Sequence, residues 1–184
     1  MALAEQLVQK GTFGVLVSRL CPMTLGHQKL ILLLMDAFVE KYIVFLGSSS
    51  NKISMPDFFS HRERSCFAKM IFPHLRIIGI PDYGNNDEWF GALEEYLDVV
   101  GAKGETVVYV AGSWEDAKWF HQSGKNVFTV DRFSGEHTPK ISGSEVREAL
   151  VQRKPLDGLL DPRLIEPVRS LFDQKWPLFL KHRG

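Results

Sequence analysis

Phe13-Gly14-Val15-Leu16-Val17-Ser18 runs straight into Arg19-Leu20-Cys21-Pro22-Met23-Thr24-Leu25-Gly26-His27, and helical spacing then continues to Val39. The first six residues form a short apolar run without polar alternation, as expected of a strand covered on both faces. Proline, threonine and glycine then mark a turn, and apolar side chains recur at helical intervals after it. Strand, turn and helix in 27 residues are one half of a crossover unit.

The same alternation repeats on the C-terminal side. Short β-rich runs stand at Tyr42–Gly47, Leu75–Ile80, Thr106–Ala111 and Asn126–Val130. Helical segments between them cover His27–Val39, His61–Phe72, Glu88–Val100 and Trp114–Gln122, with two more at Ser144–Gln152 and Leu164–Asp173. Strict alternation implies right-handed βαβ crossovers, hence an α/β fold: a Rossmann-like, doubly wound parallel sheet of about five strands. Ser60-His61-Arg62-Glu63 and Ser142-Gly143-Ser144-Glu145 both match the capping-box pattern, and Gly124 helps to end the fourth helix. The segment from Arg132 to Lys140, with Gly135, His137 and Pro139, reads as a mobile loop. A single domain over 1–184 is expected, with its core at 12–150 and a helical tail at 151–184.

Composition narrows the function. Among 184 residues, 45% are hydrophobic and 24% charged, ordinary globular proportions. Basic and acidic residues number 22 each, so the net charge is zero, which argues against a broad nucleic-acid surface. No apolar run is long enough to span a bilayer, and Met1–Lys10 lacks the features of a secretory signal. Cys21 and Cys66 have no metal-like spacing and read as free thiols, so the cytoplasm is the expected compartment. Homo-oligomerisation is left open.

Two local motifs carry chemistry. A helix beginning after β-structure at Ser18 presents unpaired N–H groups and a positive dipole end, both suited to phosphate. Gly26 allows close backbone approach, while His27 and Arg19 add a ring donor and a planar charged fork. The plainer reading is a turn with Thr24 as helix cap and His27 on the surface. The second motif is Ile141-Ser142-Gly143-Ser144-Glu145-Val146-Arg147, which puts hydroxyls and a guanidinium on one helix start. Its plainer reading is a capping box alone.

The first motif resembles the Gly-Arg-Phe-x-Pro-x-His-x-Gly-His signature of the nucleotidylyltransferase superfamily, particularly the nicotinamide mononucleotide (NMN) adenylyltransferases of archaeal type. Arg19, Pro22, Gly26 and His27 match it; Ser18 replaces the usual glycine and Thr24 the first histidine. The second motif is similar to the Ile-Ser-x-Thr-x-Ile-Arg motif of that superfamily. Gly47-Ser48-Ser49-Ser50-Asn51-Lys52, Glu63-Arg64, and Ile80-Pro81-Asp82 with Asn86 and Trp89 resemble further segments of it.

The resemblance implies a nucleotidylyltransferase-type fold and transfer of the ATP α-phosphate to NMN. It implies catalytic roles for His27, Thr24, Arg19 and Arg147. ATP would be bound by Ser18, Arg19, Gly26, His27, Gly112, Ile141, Ser142, Ser144 and Arg147. NMN would be bound by Lys52, Asn86 and Trp89, the indole stacking on nicotinamide. Mg²⁺ would be held mainly by substrate phosphates, with no dedicated protein ligand set. Trp114 and Trp119 read as packing residues. Rival readings are a cytidylyltransferase or pantetheine-phosphate adenylyltransferase acting on another phosphorylated acceptor, and a catalytically silent nucleotide-binding module.

Overall fold

In the computed structural model, which describes residues 2–49, 54–130 and 140–181, β1 (Phe13–Ser18) is the middle strand of five. β2 (Tyr42–Leu46) and β3 (Ile77–Gly79) lie on one side of it, and β4 (Val107–Ala111) and β5 (Val127–Thr129) on the other. The order is β3-β2-β1-β4-β5 and every pairing is parallel. The chain therefore changes direction of travel across the sheet between β1 and β4. In an open parallel sheet the crevice at the carboxyl ends beside that switch is the place for ligands.

Alternate residues of the strands feed two cores. Leu16, Val44, Leu46, Val108 and Val110 pack against one helical layer: α1 (Leu3–Val8), α2 (Leu25–Phe38), α3 (His61–Ile71), α6 (Gly143–Val151) and α7 (Pro162–Lys181). Phe13, Val15, Ile43, Phe45, Tyr109 and Ala111 face the other layer, α4 (Asn86–Val99) and α5 (Trp114–Gln122). The doubly wound α/β architecture expected from the alternation is present. Both capping boxes form at Ser60 and Ser142, and Gly124 follows α5 at φ +69°. Among the described residues no helix is long and apolar enough to cross a membrane.

Most elements shift by a residue or two at their boundaries, and two differ most from the sequence reading. β3 keeps only three residues, because Leu75 turns into the core and accepts no place in the ladder. α7 runs on past Asp173 to Lys181 despite Pro177. Its aromatic stripe explains the extension: Phe172, Trp176 and Phe179 stack in succession and all three meet Phe58. Lys175 from the same helix donates to the Phe58 carbonyl at 2.8 Å and to Glu63 Oε2 at 2.7 Å.

Partial burial alone would raise the Glu63 carboxyl, but hydrogen bonds from Lys175 and from the Ser60 N–H hold it below its ordinary value. A depressed folded pKa stabilises the protein above the unfolded value and loses that stabilisation as pH falls. Lys175→Met is therefore expected to be less stable than the parent at neutral pH, by about 1 kcal/mol for this partly buried pair. The difference should shrink below roughly pH 4, near the ordinary Glu value. Urea midpoints at pH 7 and pH 3.5 would check this; a difference independent of pH would remove the pair from the account.

Candidate functional site

The carboxyl ends of β1, β2 and β4 open into a cleft of about 870 Å³. Its walls come from the turn after β1, the starts of α4 and α5, and the start of α6. Ser18, Arg19, His27, Asn86, Trp89, Gly112, Ser142, Ser144 and Arg147 all line it. The fold thus brings nine of the residues named from the sequence to one concavity. Thr24, Gly26 and Ile141 are buried beside it and do not form its wall, and Lys52 lies outside the described residues, as does most of the loop from Arg132.

Thr24 is the N-cap of α2, and its buried position changes how His27 is read. The Thr24 backbone N–H donates to His27 Nδ1 at 3.1 Å, and the Thr24 hydroxyl stands 2.9 Å from the same nitrogen. The hydroxyl oxygen accepts from the His27 N–H at 3.3 Å. A backbone donor on Nδ1 makes that nitrogen the acceptor, so the neutral ring carries its proton on Nε2. His27 is 9% exposed and lines the cleft, so it is a held ring, not the surface residue of the plainer reading. The plainer reading holds for Thr24, which caps the helix, but not for His27, which the cap holds at the cleft.

The two motifs touch. Arg147 Nη1 donates to the Cys21 carbonyl at 2.7 Å and Nη2 to Ser144 Oγ at 2.9 Å. Gly143 makes this approach feasible: a Cβ there would lie 3.1 Å from Arg147 Nη1 and 3.2 Å from the Cys21 oxygen. Burial pulls Arg147 below its ordinary value, though a guanidinium remains charged at neutral pH. Burial also raises the Cys21 thiol, keeping it protonated and inert. Cys21 and Cys66 are both free thiols, as expected.

The opposite wall is aromatic and acidic. Trp89 packs on Trp119 with ring centroids 4.9 Å apart and on Phe90 edge to face at 5.2 Å. Trp119 also lines the cleft, so it is more than the packing residue its sequence position suggested. Trp114, in contrast, is 62% exposed and lies against His121 away from the cleft. Asp82, Glu115 and Asp116 contribute carboxylates; Ser48 donates to Asp82 at 3.0 Å and Ser113 to Asp116 at 2.8 Å. Among the described residues no cluster of three or more His, Cys, Asp or Glu is arranged to hold a metal ion.

One residue, Arg64, enters the sequence reading only as part of the Glu63-Arg64 resemblance, with no role at the site. Arg64 is 1% exposed and donates to the carbonyls of Arg19, Gly47 and Ser48, all three of which border the cleft. The available signal was its phase: Arg64, Phe67, Ala68 and Ile71 form the buried stripe of α3. A cation on an apolar stripe needs a buried partner.

Fold and site together define an α/β chain of Rossmann-like architecture with a cation-bearing cleft at its topological switch point. No protein-family model matches the sequence, and no curated protein is detectably similar to it. Solved structures do share the fold. A bifunctional NMN adenylyltransferase/ADP-ribose pyrophosphatase from Francisella tularensis superposes with a TM-score of 0.75 at 16% identity, covering 89% of this chain and 50% of that one. A structure of a protein of the same description and organism, bound to AMP and a manganese ion, gives 0.69 at 18% identity, covering 89% and 49%. NadR protein, solved with NAD and AMP-PNP, gives 0.53 at 17% identity over 75% of this chain and 42% of that one. The chain spans about half the length, or less, of the solved chains it matches.

Proposed function

We propose that the chain is a nicotinamide-nucleotide adenylyltransferase, which joins ATP and NMN to give NAD and pyrophosphate. The observation supporting this most directly is that His27 and Arg147, from motifs far apart in the sequence, line one cleft and are linked through the Cys21 turn. Fold similarity to NMN adenylyltransferase structures agrees with the reading.

In the proposed reaction an oxygen of the acceptor phosphate attacks the ATP α-phosphorus in line. The bond from that phosphorus to the bridging oxygen breaks, and pyrophosphate leaves with the electron pair. Such a step needs positioning and charge neutralisation more than a protein nucleophile. His27 would donate from Nε2 to a non-bridging oxygen as charge builds there. Thr24 would act as a positioning residue, fixing the ring through Nδ1. Arg19, Arg147, Ser142, Ser144 and the N–H groups opening α2 and α6 would hold the β- and γ-phosphates. Gly26 and Ile141, both buried, would contribute through backbone; Ser18 and Gly112 line the nucleotide's path. Trp89, backed by Trp119, would stack on the pyridinium ring, and Asn86 would read its carboxamide. The cations and hydroxyls beside Arg147 suit phosphate, not a bare dication, so Mg²⁺ fits as part of the nucleotide, carried on phosphate oxygens. It would there neutralise charge on the leaving group.

Pyrophosphate release should be measured with ATP or CTP against NMN, nicotinic acid mononucleotide, phosphopantetheine and glycerol phosphate, in the presence of Mg²⁺. ATP with NMN is expected to give the highest kcat/KM. A higher value for CTP with glycerol phosphate, or for ATP with phosphopantetheine, would transfer the protein to that reaction. ATP binding without release for any acceptor would make it a nucleotide-binding module.

A further inference from the structure

Two residues at the cleft floor have left-handed backbone although neither is glycine: Leu20 at φ 47° and Ser48 at φ 51°. They stand at equivalent places, two residues beyond the ends of β1 and β2. Such conformations cost of order 1 kcal/mol each for a residue with a Cβ, and persist where surrounding structure enforces them. Here the enforcing group is one side chain. Arg64 Nη1 donates to the carbonyl preceding each of them, Arg19 O at 2.6 Å and Gly47 O at 2.9 Å, while Nη2 donates to Ser48 O at 2.7 Å.

A trans peptide is planar, so turning its carbonyl towards Arg64 turns the following N–H the opposite way. The N–H groups of Leu20 and Ser48 are thereby directed away from the buried guanidinium, and both residues line the cleft. Among the described residues the Leu20 N–H reaches only Ser18 Oγ, at 3.4 Å, a long contact that a stronger acceptor would replace. The guanidinium itself holds three neutral carbonyls, and among the described residues its buried Nε has no hydrogen-bond partner. Among the described residues no carboxylate is in ion-pair contact with it; Asp57 and Asp82 act at longer range. A buried cation without a contacting counter-charge favours an anion placed above it.

We propose that Arg64 is a positioning residue for phosphate: its fork ties the β1 and β2 turns together so that the Leu20 and Ser48 N–H groups present paired donors to a polyphosphate, whose charge complements the guanidinium beneath. This rests on the adenylyl-transfer reading for its kinetic consequences, but not for anion binding as such. Lysine supplies charge without the fork, and methionine supplies neither.

Binding of inorganic tripolyphosphate to the full chain would be measured by calorimetry across a salt series, beside kcat and KM for ATP and NMN. Arg64→Met is expected to bind tripolyphosphate at least tenfold more weakly, with a shallower salt dependence. Arg64→Lys should bind it within about threefold of the parent yet turn over at least tenfold more slowly at saturating substrates. Parental tripolyphosphate affinity in Arg64→Met, or parental kcat in Arg64→Lys, would overturn the proposal. Should Arg64→Met fail to fold, as circular dichroism would reveal, Arg64→Lys decides alone through the split between affinity and kcat. Tripolyphosphate binding that depends on Arg64 in a protein releasing no pyrophosphate would sink the adenylyl-transfer reading and leave the anion site standing.

Discussion

His27→Ala is expected to lower the rate of pyrophosphate release by roughly 10²–10³, the usual cost of losing one preorganised donor to developing charge. The expectation follows from the way the ring is held. Its Nδ1 is engaged by the Thr24 N–H, with the Thr24 hydroxyl 2.9 Å away, so the ring cannot easily rotate to another pose. The proton-bearing Nε2 is fixed at a buried ring on the cleft wall. The fold should survive, since α2 keeps its Thr24 cap: the hydroxyl oxygen accepts from the backbone N–H of residue 27, which alanine retains. Stopped-turnover kinetics with ATP and NMN, alongside melting curves, would test this. A folded alanine variant with near-parental turnover would remove His27 from the chemistry.

For Trp89→Ala the larger effect should fall on the acceptor. Loss of a face-stacked, partly desolvated cation–π contact is worth about 1–2 kcal/mol, so KM for NMN should rise roughly tenfold or more while KM for ATP changes little. The indole is also structural, packed among Phe90, Trp119 and Phe120 and 8% exposed. Its truncation is expected to cost about 3–5 kcal/mol of stability. Trp89→Phe separates the two effects by keeping a ring in the cluster, and it should restore most of the stability and part of the acceptor affinity. Equal rises in both Michaelis constants would place Trp89 in the core alone.

What the sequence makes legible is what is local. The caps at Ser60 and Ser142 are written within four residues, and each forms as read. The parallel sheet follows from strand and helix lengths, and the cleft follows from where the strands end. Arg64 is another matter: its acceptor on Arg19 is 45 residues away, and nothing in the local pattern names a carbonyl as partner. A tryptophan that packs and one that lines a cleft look alike in one dimension; in space Trp119 does both. Thr24 reads in sequence as a helix cap or a catalytic side chain; that its N–H and hydroxyl both meet His27 Nδ1 emerges only in space. The extent of α7 depended on Phe58, an aromatic far back in the chain that its stripe stacks upon.

The missing side chain at residue 143 has a geometric corollary. Because α6 approaches the Cys21 carbonyl through bare backbone, the gap between these two walls of the cleft is set by peptide against guanidinium, with no side chain of residue 143 between them. The span of the cleft should thus be insulated from repacking deeper in either core. One added methyl group at that point would stand 3.2 Å from the Cys21 oxygen and 3.1 Å from Arg147 Nη1, so the two walls would have to part by a few tenths of an ångström or Arg147 would have to shift.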